Sequence, residues 1–217
     1  MASQLHSEIP APTVERLVLY RRLLDSLAQN GVEYVHSHEL AEKANNSAAQ
    51  VRRDLMSIGY TGSPAHGYAV ADLVKRIGRL FDKKGDQKAA LVGIGKLGRA
   101  ILGYFALRQP HPRIVAAFDS DKEKGQGDIA GCPCYPIEEL INVIVREKIS
   151  IGIITVPAQH AQQVADLMLL AGVRGLLNFA PTPLKVPAWA VVDHVDITTK
   201  LEKVAFFTEL KAGKPPC

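Results

Sequence analysis

Residues 88–100 read KAALVGIGKLGRA: a short apolar strand that runs into a glycine turn and out into a helix. Gly93, Gly95 and Gly98 stand in G-x-G-x-x-G spacing directly after the strand, the arrangement of a dinucleotide cradle. Each glycine has a task. Gly93 permits the tight turn, Gly95 lets the backbone approach a pyrophosphate, and Gly98 lets helix and strand pack closely. The peptide groups of Ile94, Lys96 and Leu97 complete the turn, so phosphates would meet unpaired N–H groups at the positive end of the helix. The next strand, RIVAAFD, ends in Asp119, 21 residues after Gly98. A carboxylate there accepts from both adenosine ribose hydroxyls and repels a 2′-phosphate, which favours NADH and NAD+ over their phosphorylated forms. Two further strand ends are expected at the same crevice: Thr155, Val156 and Pro157 in TVPA, and Asn178, Phe179 and Ala180 in NFAP.

Working outward, the texture from Lys88 onward is βαβ: AALVGIG, RIVAAFD, SIGIITVP, VRGLLNF and AVVDHV are strands, with amphipathic helices between several of them. β-branched strands in this alternation predict a parallel sheet covered on both faces, a Rossmann-like α/β domain. The GCPC segment reads as a loop. The 217-residue chain is long enough for one large or two small domains, and FDKKGDQK (81–88) is the expected boundary. We therefore expect domains at 1–84, 85–195 and a C-terminal piece at 196–217.

Upstream of the boundary the pattern is helical. Val14, Leu17, Val18, Leu24 and Leu27 recur at near-helical spacing, with Thr13 as cap and Asn30-Gly31 as stop. SHELAEKA follows, capped by Ser37, then Asn45-Asn46, then SAAQVRRDLMSIG with Ser47 and Gln50 as a capping box. Two helices with a tight break are helix-turn-helix spacing. Val51, Leu55 and Ile58 point inward, which turns Ala48, Ala49, Arg52, Arg53 and Met56 outward. Small residues followed by an arginine pair suit a major groove; an ordinary helical hairpin with a solvated Arg-Arg-Asp face fits the spacing equally well. YTGSPAHGYAV then reads as a β-hairpin wing, and Val70, Leu73, Val74, Ile77, Leu80 and Phe81 as one more helix.

Charge is mild, +4 overall, with 11 Lys/Arg against 9 Asp/Glu before Gly85 and 15 against 13 after it. Bulk charge thus marks no nucleic-acid domain, and local placement must carry that argument. The apolar runs are strand-length and fall short of the roughly 18 residues a membrane span needs. No signal peptide and no disulfide framework are expected, since Cys132, Cys134 and Cys217 are few and oddly placed, and C-x-C alone lacks the ligands of a zinc site. A reduced, cytoplasmic protein without a metal is the natural expectation.

Hydride transfer needs a substrate pocket with an acid or base near the reacting carbonyl. His160 begins a helix, His111 lies in a QPHP loop, His194 ends a strand, and Cys132 has no evident base beside it. After Val195 only some 22 residues remain, one helix and a tail, so a substrate domain is missing and no catalytic residue is assigned. A small NAD-dependent oxidoreductase using His160, and a nucleotide- or CoA-binding module with a protein-contacting helix pair, stand as the alternatives.

With both halves in view, the chain resembles the Rex family of bacterial redox-sensing transcriptional repressors. The stretches IPAPTVERLVLYRRLL, AAQVRRDL, GYAV, LVGIGKLGRAILGY, FDSDKEKGQ, ITVPA, GLLNFAP and VDITTKLEKVAFF carry the likeness, in order and spacing. The resemblance implies a homodimer of winged-helix and Rossmann-like domains with a domain-swapped C-terminal helix. It also implies binding of palindromic operator DNA when NADH is scarce, with release when NADH binds. DITTKLEKVAFFTEL agrees, with Asp196 as cap and Ile197, Leu201, Val204 and Phe207 as a stripe that must bury somewhere. By the same likeness Arg22, Tyr104 and the partner subunit's Asp196 form a switch network. The DNA-contacting set is expected to be Ser47, Ala48, Ala49, Gln50, Arg52, Arg53 and, in the wing, His66 and Tyr68. The wing departs from the family: Pro64 stands where a basic residue is usual and Ala65 replaces a glycine, leaving His66 as the nearby ionisable group.

Overall fold

The computed structural model describes residues 9–81, 87–108 and 112–212, so the sequence expectations for His111, Cys217 and most of the 81–88 boundary lie outside the described residues. The chain divides into two units, Met1–Gly85 and Asp86–Cys217.

In the first unit, helix α1 (Ala11–Gln29) starts earlier than Thr13, the residue expected to cap it. Pro12 already has the φ of a first helical turn, so PAP is the start of the helix and not its approach. Thr13 is buried, and its hydroxyl accepts from Arg16 Nη2 at 3.0 Å. Helix α2 (Ser37–Lys43) is capped one residue before the expected Ser37: the N–H of His36 donates to the Glu39 carboxylate at 2.6 Å. Helix α3 (Ala48–Ser57) follows, with the Gln50 N–H donating to Ser47 Oγ at 3.2 Å. Only that half of the capping box forms, because the Gln50 side chain is engaged elsewhere. Helix α4 (Val70–Phe81) closes the unit. Leu17, Tyr20 and Leu24 of α1, Leu40 of α2, Val51 and Leu55 of α3, and Leu73 and Ile77 of α4 share one core. The expected hairpin wing is smaller than its sequence indicates. A Ser63–Gly67 bridge closes the turn, while β2 (Tyr68–Ala69) pairs antiparallel with β1 (Tyr34–Val35).

The second unit is a seven-stranded sheet built from β3 (Lys88–Val92), β4 (Arg113–Asp119), β5 (Asp128–Ile129), β6 (Cys132–Pro136), β7 (Ile151–Ile154), β8 (Gly175–Asn178) and β9 (Val191–His194). The spatial order is β5-β6-β4-β3-β7-β8-β9, parallel throughout except for the β5–β6 pair. Without β5 this is the 3-2-1-4-5-6 order of dinucleotide folds, whose switch point lies between β3 and β7. The GCPC segment is therefore not a loop. Its prolines hide a strand, because backbone pairing at Cys134 and Tyr135 to β4 needs no β-prone side chains. Side chains alternate as a pleated strand requires. Ala90 and Val92 face the core formed with α6 (Leu140–Glu147) and α7 (Ala158–Leu170), while Ala89 and Leu91 face Leu102 of α5 (Lys96–Arg108). The last helix, α8 (Ile197–Ala212), follows β9.

Candidate nucleotide cleft and nucleic-acid face

At the switch point the glycine turn takes the shape its spacing predicts. Gly93 has φ +104°, a conformation L side chains rarely adopt, and its N–H donates to the Phe118 carbonyl at 2.8 Å. A Cβ at Gly98 would land on the Gly93 carbonyl oxygen, so only glycine lets α5 pack this close. A Cβ at Gly95 would meet nothing within 4 Å, which leaves its backbone open to the cleft beside it. Asp119, at the end of β4, braces the turn: its carboxylate accepts from the N–H of Ile94 at 2.6 Å and of Asp121 at 2.9 Å. Directly after β7, Thr155 donates its hydroxyl proton to the carbonyl of Gly93 at 2.8 Å.

These groups border a cleft of about 590 Å³ whose walls include Gly93, Gly95, Asp119, Thr155, Val156 and Pro157. Ile94 contributes backbone alone, since its side chain is fully buried under the sheet. Lys96 and Leu97 lie exposed in the first turn of α5, where the N–H groups lack intrahelical partners. The third expected strand end lies beside the end of β7, where Asn178 pairs with Ile154 and the Phe179 N–H donates to the Ile154 carbonyl at 2.9 Å. Asn178 is buried; its amide donates to the carbonyls of Ala180 and Thr182 and meets His194 Nδ1 at 3.1 Å, and its Oδ1 accepts from the Ala180 N–H. It ties β8 to β9; Ala180 is buried with it, and Phe179 is half-buried. Sequence reasoning missed the opposite wall, where Ile137, Ile141 and Leu167 present apolar surface beside Lys124, Glu138 and His160. Reading GCPC as a loop concealed it, because β6 leads straight into that wall.

The cysteines of β6 are packed side chains. Burial, with lesser contributions from Cys134 and Asp128, pushes the Cys132 thiol up to about 12, so it stays protonated and unreactive at neutral pH. Among the described residues no three His, Cys, Asp or Glu side chains gather to hold a metal, and no helix is long and apolar enough to cross a membrane.

On the first unit, Ala49, Arg52, Arg53 and Met56 form the exposed side of α3, with Ser47 and Gln50 at its start. Ala48 is half-buried against the core. Arg52 Nη1 donates to Ser37 Oγ at 3.0 Å and Arg53 Nη2 donates to Gln50 Oε1 at 2.7 Å, so both guanidinium groups are held. The wing divides its two expected contacts. His66 is exposed, its ring 5.7 Å from that of Tyr34, whereas the Tyr68 ring packs into the core and keeps 7% exposure, in a groove it lines with Ser37, Arg52 and Met56. The pairing of β2 with β1 turns the Tyr68 side chain mostly inward. Asp54, solvated only in the alternative reading of α3 as part of an ordinary helical hairpin, is 2% exposed. Arg16 grips it through Nε at 2.7 Å and Nη2 at 2.8 Å, joined by the Tyr20 hydroxyl at 2.9 Å and Gln50 Nε2 at 2.8 Å. Burial pushes the Asp54 carboxyl upward, but the hydrogen bonds from Arg16, Gln50 and Tyr20 outweigh it and hold the group below its ordinary value. Burial and the bond to Asp54 push the Tyr20 phenol to about 12.

Of the expected switch residues, Arg22 is exposed on α1 and Tyr104 is half-exposed on α5 beside Phe105. Asp196 caps α8, its carboxylate accepting from the Thr199 N–H at 3.1 Å and hydroxyl at 2.7 Å, which holds it below the usual carboxylate value. Ile197, Leu201, Val204 and Phe207 along α8 are 63%, 67%, 62% and 49% exposed.

Residues 8–55 match the family described as "Putative DNA-binding protein N-terminus", and residues 84–182 match the family described as "CoA binding domain". The redox-sensing transcriptional repressor Rex of Brevibacillus brevis is 38% identical over 202 residues, 93% of this chain and 98% of that protein. The fold is similar to RSP, a Rex-family repressor, in complex with β-NAD+ and operator DNA: TM-score 0.84, 29% identity, 95% of this chain and 98% of that one. RSP in complex with β-NADH gives a TM-score of 0.81 at 28% identity, covering 94% and 96% of the two chains.

Proposed function

Because the chain belongs to the Rex family of redox-sensing transcriptional repressors, we propose that it is a repressor whose hold on operator DNA is set by which nicotinamide nucleotide fills its cleft. It binds operator DNA, and NADH releases it; the nucleotide is a signal and leaves unchanged. The observation that carries this reading is the open backbone at Gly95 between the braced carboxylate of Asp119 and the first turn of α5. Pyrophosphate fits over Gly95, with Lys96 and Leu97 supplying N–H groups, and the adenosine ribose hydroxyls fit Asp119. A bound nicotinamide dinucleotide would supply a ring that is positively charged when oxidised and neutral when reduced. The same carboxylate disfavours coenzyme A, whose ribose carries a phosphate.

The exposed face of α3, with Ala49, Arg52 and Arg53, is our candidate for the major groove, and His66 for the wing contact. The open stripe on α8 supports a homodimer in which that helix docks on a second copy. A twofold pair reads two half-sites of a palindrome at once. Arg22, Tyr104 and the partner subunit's Asp196 are the candidate switch set. We place the protein in the cytoplasm, where its operators are. An anisotropy titration on a palindromic operator, with NADH, NAD+ and coenzyme A added separately, tests the reading. Binding lost with NADH and kept with NAD+ supports it, and indifference to both nicotinamides overturns it.

A further inference from the structure

The reading of α3 as the DNA-contacting helix leaves one charged residue of that helix without a task, because Asp54 faces away from solvent. Its two oxygens receive four bonds: Arg16 Nε and the Tyr20 hydroxyl on Oδ2, Arg16 Nη2 and Gln50 Nε2 on Oδ1. A carboxylate has about four lone-pair directions, so it is saturated. The bond from Gln50 has a consequence at the surface. With Nε2 committed to Asp54, the other end of the planar amide is the oxygen, and it accepts from Arg53 Nη2 at 2.7 Å. Turning the amide over would set its oxygen against the carboxylate and its NH2 against the guanidinium, two repulsive contacts in place of two bonds. The charge of Asp54 therefore fixes the amide, and the amide fixes the exposed guanidinium.

We propose that the Arg16–Asp54 pair positions Arg53 for DNA through Gln50, and so governs sequence discrimination more than overall attraction. The proposal rests on the reading of α3 as the helix that meets DNA. Attraction to phosphates depends on charge and tolerates a swinging side chain. Pairing with two acceptors on one base edge needs the guanidinium plane held in direction. Arg52 is held separately, by Ser37 of α2, and lies outside this chain of bonds. It is the internal control.

The test is a pair of double-mutant cycles on the full-length protein. The probes are a duplex selected from a random library by the wild type and a scrambled duplex of equal composition. Asp54→Asn is expected to weaken binding to the selected duplex about tenfold, the scale of one well-oriented base contact. Binding to the scrambled duplex and the salt slope are expected to stay within roughly twofold, since Arg53 keeps its charge. In an Arg53→Ala background Asp54→Asn should cost almost nothing further, while its effect should add to that of Arg52→Ala. Additive effects with Arg53→Ala overturn the proposal. If Asp54→Asn does not fold, Gln50→Leu replaces it, since it leaves Arg16 on Asp54; it should show the same loss of discrimination and the same non-additivity. A Gln50→Leu loss that persists undiminished without Arg53 also overturns the proposal, because Gln50 then touches DNA itself. A wild type that selects no duplex overturns the DNA-binding reading beneath it, which separates the two failures.

Discussion

Each unit is organised around an aspartate, and the two are held in opposite ways. Asp54 is closed in by side chains from α1 and α3 until its acceptor sites are filled. Asp119 is met, among the described residues, by two backbone N–H groups, one on each oxygen, and still borders the cleft. By count of lone pairs it keeps about two acceptor directions, the number that a pair of ribose hydroxyls would take. A saturated carboxylate shapes a surface it never touches; a half-used one braced by backbone is ready for a ligand.

The strongest way to break this comparison is Asp54→Ala. Removing the buried carboxylate takes the shared acceptor from Arg16, Tyr20 and Gln50; Arg16 is partly exposed and recovers water, so the expected loss is about 2–3 kcal/mol. Urea unfolding followed by circular dichroism is expected to show the first unit melting early. The chain's one tryptophan, Trp189, lies in the second unit and its fluorescence should report an unshifted transition. Coincident shifts in both signals would mean that Asp54 does not act within its own unit. Next in size, Gly95→Ala is expected to leave the unliganded thermal midpoint unchanged, because a Cβ there meets nothing. NADH affinity by calorimetry should nevertheless fall tenfold or more, at least about 1.4 kcal/mol. Unaltered affinity would move the pyrophosphate away from Gly95.

Asp119→Ala sharpens the comparison from the open side. The preference for NADH over NADPH should shrink about tenfold, roughly 1.4 kcal/mol, and equal selectivity in the variant would remove Asp119 from the ribose site. The smallest effect is one of pH. The Asp54 carboxyl lies below its ordinary value, so its stabilising contribution is complete above roughly pH 4 and fades as pH falls through the lower folded value. Asp54→Asn should therefore flatten the acid side of the first unit's stability profile; an identical slope in the variant would mean that another carboxylate sets it.

Much of this was legible in the chain. The glycine turn, the Asn30-Gly31 helix stop, the Ser47 cap and the inward stripe of α3 all lie where their spacing places them. Asp54 was given no role, since in Arg-Arg-Asp it reads most simply as part of a solvated run, although the signal was present. Asp54 stands three residues after Val51 and four before Ile58, on the buried side of the same stripe. Arg16 and Tyr20, four apart on α1, are the matching polar pair. The packing of Tyr68 follows from a two-residue strand pairing that propensity alone does not show, and β6 was hidden by Pro133 and Pro136.

The sequence by itself determined the pieces whose causes are local: a turn that only glycine can take, a cap, an alternating strand, an apolar stripe. These need only neighbours within a few residues. Tertiary structure alone decided that Asp54 is a positioning group, that Asn178 is a tie between strands, and that the second wall of the cleft comes from the segment after β6. Three of the four bonds that make burial of Asp54 favourable come from Arg16 and Tyr20 of α1, 38 and 34 residues away. A buried carboxylate is stable only once such partners have arrived, and no local rule brings them there.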